Sequence, residues 1–299
     1  MLKRSVFTLA LAAATVAALT GCTAGSSSDD GKVRVVTSTN VYSDIASTIA
    51  GGAVDVTALM TDPAQDPHSF EASAQSQLAV SKADILIENG GGYDDFMTTL
   101  RTGAKNAKAT VLNVVDISGK KAQGGDLNEH VWYDFPTIQK FTTALTDALS
   151  KADPAQKATF AKNAATFSGK LAALQSREAE LKATYAGAGV AVTEPVPLYL
   201  LESSGLVDKT PEKFRAAIES GTDVSPLVLH QTLALFSGHK VRLLVYNEQT
   251  SGPETARVLA AAKAADIPVV PVTETLPKGK DYVSWMNANL DAVGAALAQ

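Results

Sequence analysis

The sequence predicts an α/β protein of two lobes, each a mostly parallel sheet with flanking helices, joined by one long rigid linking helix. Three observations carry this. β-Branched runs of strand length alternate with helical stretches up to about residue 153. The same rhythm resumes after residue 187. Between them, residues 155–186 hold no proline and one glycine, Gly169, and are rich in Ala, Lys, Leu, Gln and Glu. A chain of 299 residues with 45% hydrophobic and 19% charged residues is globular in composition and long enough for two such units.

Taken in order, the chain opens with an address. Lys3 and Arg4 give a short positive region, and residues 6–19 are almost uninterruptedly apolar. That run is shorter than the roughly 20 residues that span a bilayer, so residues 1–21 read as a secretory leader. Cys22, the one cysteine, follows directly on Leu19-Thr20-Gly21. This stretch resembles the bacterial lipobox, which implies cleavage before Cys22 and a diacylglycerol on its thiol. Residues 22–32, small and polar (TAGSSSDD), would then be a lipid-anchored flexible tether. The expected location is extracytoplasmic, as a lipoprotein on a bacterial cell membrane.

The first lobe is expected over residues 33–153, with strands at 33–38, 54–60, Ile85–Glu88 and 109–115 and helices at 44–49 and 73–81. Gly90-Gly91-Gly92 is a turn after a strand, since no Lys-Ser/Thr pair or G-x-G-x-x-G frame follows it. In the linking helix, expected over 154–186, apolar residues recur three and four apart (Phe160, Ala164, Phe167, Leu171, Leu174, Leu181). At 1.5 Å per residue it is about 45 Å long. The second lobe, 187–299, has strands at 190–193, 241–246 and 267–272 and helices at 196–203, Pro226–Ser237, 252–265 and 281–298.

Charge and cysteine usage narrow the function. The net charge is −5, and −7 once Lys3 and Arg4 leave with the leader. With no basic stripe, the chain lacks the clustered Lys and Arg that neutralise phosphates, so no nucleic-acid partner is expected. A single cysteine excludes a disulfide framework and any thiolate-rich zinc site.

The candidate ligands cluster where strands end. Of four histidines, His68 lies in a turn-rich stretch (TDPAQDPHS) and His130 in a loop entering a helix; His230 and His239 flank a polar-faced helix as surface residues or caps. Glu194 ends one strand, ahead of Pro195, and Glu274 ends another. Ligands of open α/β sheets bind beyond the carboxyl ends of strands, although such a carboxylate also suits a helix N-terminus. Glu248 ends a third strand and competes with Glu274.

Four segments together resemble the manganese and zinc solute-binding lipoproteins of ABC transporters: Asp66-Pro67-His68-Ser69-Phe70-Glu71, Glu129-His130-Val131-Trp132-Tyr133-Asp134, Thr193-Glu194-Pro195 with Tyr199 and Gly205, and Pro271-Val272-Thr273-Glu274. The family often has Asp at the last position. The resemblance spans about residues 33–299. It implies one divalent ion held in the inter-lobe cleft by His68, His130, Glu194 and Glu274, delivery to an ABC permease, and a protein that is a monomer and no enzyme. Two neutral imidazoles and two carboxylates neutralise a divalent cation, with each free imidazole nitrogen held by a further acceptor. Asp134, Glu129 and Glu71 are the acidic residues expected in that role, and Trp132 shields the ion. Carboxylate oxygen favours a hard cation such as Mn2+, with Zn2+ close behind and iron open. A surface adhesin is the alternative. A metallohydrolase is disfavoured, because four protein ligands leave little room for a reacting water and no H-E-x-x-H or G-x-S-x-G occurs.

Overall fold

In the computed structural model, residues 31–62, 70–122 and 127–299 are described, so the leader, Cys22 and His68 lie outside the described residues. β1 (Arg34–Thr39), α1 (Asn40–Ala50), β2 (Asp55–Met60), α2 (Ala74–Lys82), β3 (Ile85–Glu88), α3 (Asp95–Ala104) and β4 (Thr110–Asn113) build the first sheet. All its pairings are parallel, in the order β2-β1-β3-β4, with Val35 opposite both Val56 and Ile85. β3 is buried at all four positions, the pattern of a strand covered on both faces.

α4 (Val114–Ser118), a 3-10 turn (Val131–Tyr133) and α5 (Phe135–Ala152) lead through a second 3-10 turn (Pro154–Gln156) into α6 (Lys157–Tyr185). The linking helix is thus 29 residues, about 44 Å at 1.5 Å per residue. Its buried stripe is Phe160, Ala164, Phe167, Leu171, Leu174 and, unexpectedly, Glu178. Burial, with the nearby Asp134 charge adding to it, pushes the Glu178 carboxyl up to about 8.

The second half contains β5 (Gly189–Val192), α7 (Leu198–Ser203), β6 (Val207–Asp208), α8 (Glu212–Glu219), α9 (Pro226–Ser237), β7 (Leu244–Asn247), α10 (Pro253–Ala264), β8 (Val269–Val272) and α11 (Tyr282–Leu297). Its sheet is again parallel, in the order β6-β5-β7-β8. Each half therefore reverses strand order beside its first strand, where open α/β sheets form a crevice.

Three local departures from the sequence reading have identifiable causes. The strand expected over 109–115 stops at Asn113, whose side chain accepts a hydrogen bond from Asp116 N and starts α4. The helix expected from residue 196 begins at Leu198, because Val196 precedes Pro197 and is steered away from helical geometry. The sequence reading assigns no element to α3, α4, β6 or α8, and gives no bounds to α5, the helix after His130. Elsewhere, local signals hold: Ser73 and Asp281 each form a capping box, and Pro226 and Pro253 open their helices.

Residues Lys32–Gln299 form one compact unit. One apolar cluster runs from α1 and α5 (Tyr42, Ile45, Phe141) through α6 (Phe160, Phe167, Leu171) to Val190, Val192 and Leu290. α6 is fixed at both ends, through Asn163 Nδ2 to Ile49 O (3.1 Å) and through Arg177 to Asn287 Oδ1 (2.6 Å) and Asp291. Further bonds stitch the halves. Asn40 exchanges two 2.9 Å bonds with the Leu276 backbone, and Asp44 Oδ2 accepts from Tyr282 N (2.8 Å). The Tyr133, Tyr199 and Tyr282 hydroxyls donate to the carbonyls of Thr273, Asn128 and Trp132 (2.8, 2.7 and 2.6 Å).

Candidate metal centre

His130 stands just before the Val131–Tyr133 turn, fully buried against the rings of Tyr93 and Trp132, whose centroids lie 5.8 and 5.1 Å away. Trp132 packs against the imidazole, in keeping with a shielding role. The loop carrying His130 is held from below by the glycine turn after β3. Asn89 Nδ2 donates to Glu129 O (2.9 Å), and Asp94 accepts from the backbone N–H groups of Asn89 and Gly90. Gly90 has φ +78, and a Cβ there would fall 2.3 Å from Asn113 Nδ2, so only glycine fits.

The tautomer of His130 follows from its partner. Nδ1 lies 2.8 Å from Asn128 Oδ1, which also accepts from His130 N (3.1 Å), while Asn128 Nδ2 donates to Pro195 O (3.0 Å). The amide is thereby oriented with its oxygen toward the ring, Nδ1 carries the proton, and Nε2 presents a lone pair. The acceptor is Asn128, which corrects the expectation that Asp134, Glu129 or Glu71 plays this part at His130. Asp134 instead caps α5 through Thr137 N and pairs with Lys120 at 3.2 Å, and Glu71 is exposed.

His130 Nε2 faces two carboxylates, Glu219 Oε1 at 3.4 Å and Glu274 Oε2 at 4.0 Å. Glu274 stands two residues beyond β8. Its Oε1 accepts from Asn247 Nδ2 (2.8 Å), and its backbone N donates to Gln249 Oε1 (2.5 Å). Asn247, the last residue of β7, donates its own N–H to Thr193 Oγ1 (3.0 Å), tying three strand ends together. From the first half, the Tyr93 hydroxyl approaches Glu274; burial, then the Glu274 charge, hold it well above the ordinary phenol range.

Glu194, two residues beyond β5, is 3% exposed, and among the described residues its Oε2 makes no hydrogen bond. Burial pushes its carboxyl up to about 8, the charges of Glu219 and Glu274 add to the rise, and hydrogen bonds from Asn247 and Thr250 oppose it. The structure therefore brings His130 and Glu274 within 4.0 Å, with Glu194 near enough to Glu274 for its charge to act on that carboxyl. Glu248 is exposed, whereas Glu274 is buried. His230 is exposed within α9, and His239 is exposed just beyond it with φ +47.

Sequence reading misses Glu219, the last residue of α8. A signal exists: Thr210-Pro211 before and Ser220-Gly221 after bracket the amphipathic stretch holding Phe214 and Ile218. Glu219 also opposes the helix dipole, since a carboxylate belongs at the other end. Among the described residues, the Glu129, His130 and Glu219 donor atoms lie within 4.8 Å of one another. Glu219 also borders a solvent-open cavity of about 1260 Å³ between the halves, with Lys120, Asn128, Pro195 and Tyr199.

The donor set fits a divalent cation. Two ligand atoms each about 2.1 Å from a shared ion at a tetrahedral angle are about 3.4 Å apart, the separation of His130 Nε2 and Glu219 Oε1. Carboxylates converging on a neutral imidazole away from water repel one another unless a cation or protons join them.

The family model for the periplasmic component A of the zinc-uptake complex (ZnuA) matches residues 35–296. The chain is 26% identical to the metal ABC transporter substrate-binding lipoprotein FimA of Streptococcus parasanguinis, over 100% of both chains. It is 25% identical to the manganese ABC transporter substrate-binding lipoprotein PsaA of Streptococcus pneumoniae, over 99% of both. In fold it is similar to the periplasmic zinc binding protein TroA of Treponema pallidum (TM-score 0.75, 19% identity, 90% of this chain and 100% of that one). It is also similar to FpvC of Pseudomonas aeruginosa, solved in complex with Mn2+ (TM-score 0.74, 19% identity, 89% and 98%). The chain belongs to the zinc-uptake complex component A family, a family of ABC-transporter solute-binding proteins rather than enzymes.

Proposed function

We propose that this protein is the extracytoplasmic receptor of a metal ABC importer, tethered by a lipid on Cys22. It captures one divalent transition-metal ion between its halves and delivers it to the permease. His130, Glu194 and Glu274 hold the ion, with His68 as the second imidazole. The observation that carries this reading is the His130 Nε2 lone pair turned toward Glu274 across the seam, with the buried Glu194 beside them. The ion then neutralises carboxylates of the second half and bonds an imidazole of the first, bridging halves that hydrogen bonds already hold together. Mn2+ is the favoured cargo over Zn2+, because carboxylate oxygen in the donor set shifts the balance toward a harder ion. Among the described residues no helix is long and apolar enough to cross a membrane.

The test is elemental analysis of the fragment from Thr23 onward, with competitive titration of Mn2+ against Zn2+, repeated on His68→Ala and Glu274→Ala. One equivalent of metal, lost or weakened in both variants, is the expected result. Tight zinc beside negligible manganese affinity would reassign the cargo to zinc. No metal, with thermal stability indifferent to added ions, would overturn the reading.

A further inference from the structure

Glu219 has no place in the four-ligand set, yet it is the carboxylate closest to His130 Nε2 among the described ion-pair distances, at 3.4 Å against 4.0 Å for Glu274. Although the residue as a whole is partly exposed, both carboxylate oxygens are buried, so the side chain turns inward from the end of α8. It lies near enough to Glu194 to act on that carboxyl more strongly than Glu274 does. His130 is fully buried and Glu194 is 3% exposed, and among the described residues Glu194 Oε2 makes no hydrogen bond.

α8 adds to the effect. The last turn of a helix carries partial negative charge on its carbonyls, and Glu219 sits in that turn. Negative charge placed at the negative end of a helix is costly for the fold alone and favourable for a cation. Glu219 also borders the solvent-open cavity, so it faces the buried imidazole and the route from solvent at once. Its neighbour one turn back, Arg215, pairs with Asp208 at 3.2 Å.

We propose that Glu219 is a fifth donor to the captured ion, the carboxylate on the cleft side of the site, and that it biases the site toward a cation of higher coordination number such as Mn2+. This rests on the capture reading above. Three carboxylates and two imidazoles supply five donors and an excess of negative charge. Mn2+ accepts five or six hard ligands, whereas zinc in protein sites is satisfied by four. Removing Glu219 should therefore weaken manganese more than zinc.

The experiment compares wild type, Glu219→Gln, Glu219→Asp and Glu212→Gln, the last a carboxylate bordering the same cavity away from His130. Mn2+ and Zn2+ affinities are measured by competitive titration, and the coordination number of the Mn2+-loaded proteins by X-ray absorption. Circular dichroism without metal verifies folding. Glu219→Gln is expected to weaken Mn2+ at least tenfold, Zn2+ by less than threefold, and to lower the count of oxygen and nitrogen neighbours. Glu219→Asp should fall between, and Glu212→Gln should match wild type. A metal-loaded wild type beside an unaltered Glu219→Gln overturns this proposal alone. So does weakened affinity with an unchanged coordination number. A wild type that takes up no cation overturns the capture reading together with it.

Discussion

The two sheets share one strand order, and each places a buried carboxylate at or just past a strand end, yet those carboxylates have different lives. In the first half Glu88, the last residue of β3, is held by Arg101 Nη1 (3.2 Å) and by Asn113 Nδ2 (3.1 Å). Its charge is consumed within its own half. In the second half Glu194 and Glu274 receive amide hydrogen bonds from Asn247, a neutral group, and Glu274 faces the first half's histidine. Topology brings a carboxylate to the crevice, and its partner decides whether it is a brace or a ligand. A guanidinium ends the matter locally; an amide orients the group and leaves its charge to be answered from outside.

The sharpest break of this contrast is a pair of substitutions. Glu274→Ala should reduce metal affinity at least a hundredfold while altering the metal-free protein's stability little. Glu88→Ala should leave affinity unchanged and cost about 1–3 kcal/mol, since it strands Arg101. Titration and denaturant unfolding read the two effects. If Glu88→Ala also abolished binding, the division into brace and ligand would be wrong.

Next in size is acidity. The Glu194 carboxyl is raised to about 8, so a cation must displace a proton there at neutral pH. Affinity should fall as pH drops below about 8, by about tenfold per pH unit for each proton displaced, and more steeply once imidazoles protonate. Titration calorimetry in buffers of different ionisation enthalpy counts the protons released.

Asn128→Ala should weaken metal about 10- to 100-fold, because Nδ1 of His130 loses its acceptor and the ring is free to turn. Asn128→Asp should restore much of that loss.

The smallest effect concerns stability. Glu178 is raised to about 8 in the fold against 4.5 unfolded, so the native state holds the extra proton between those values and stability declines as pH rises through them. Glu178→Gln should remove that slope, adding on the order of 1–3 kcal/mol at pH 8.5 and nothing at pH 4. Unfolding curves at the two pH values decide it.

Much of this was legible in the sequence. Strand ends placed Glu194 and Glu274, and the alternation of apolar runs gave the two sheets and the long helix. Other features required three dimensions. Asn128 is polar and uncharged, and nothing local marks it as the acceptor for a histidine two residues on. Glu219 rides on a helix only eight residues long, with just Phe214 and Ile218 buried to mark it, and it reaches His130 across 89 positions of chain. Glu178 interrupts an otherwise regular stripe, and sequence periodicity averages over one such exception.

The tyrosines at the seam carry one more consequence. Tyr133, Tyr199 and Tyr282 donate across the halves only while their hydroxyls keep a proton, and burial holds all three well above the ordinary phenol value. Those fastenings are thus indifferent to acidity over the whole range in which the ligands titrate. Protonation of the proposed ligands should therefore leave these three bonds between the halves in place.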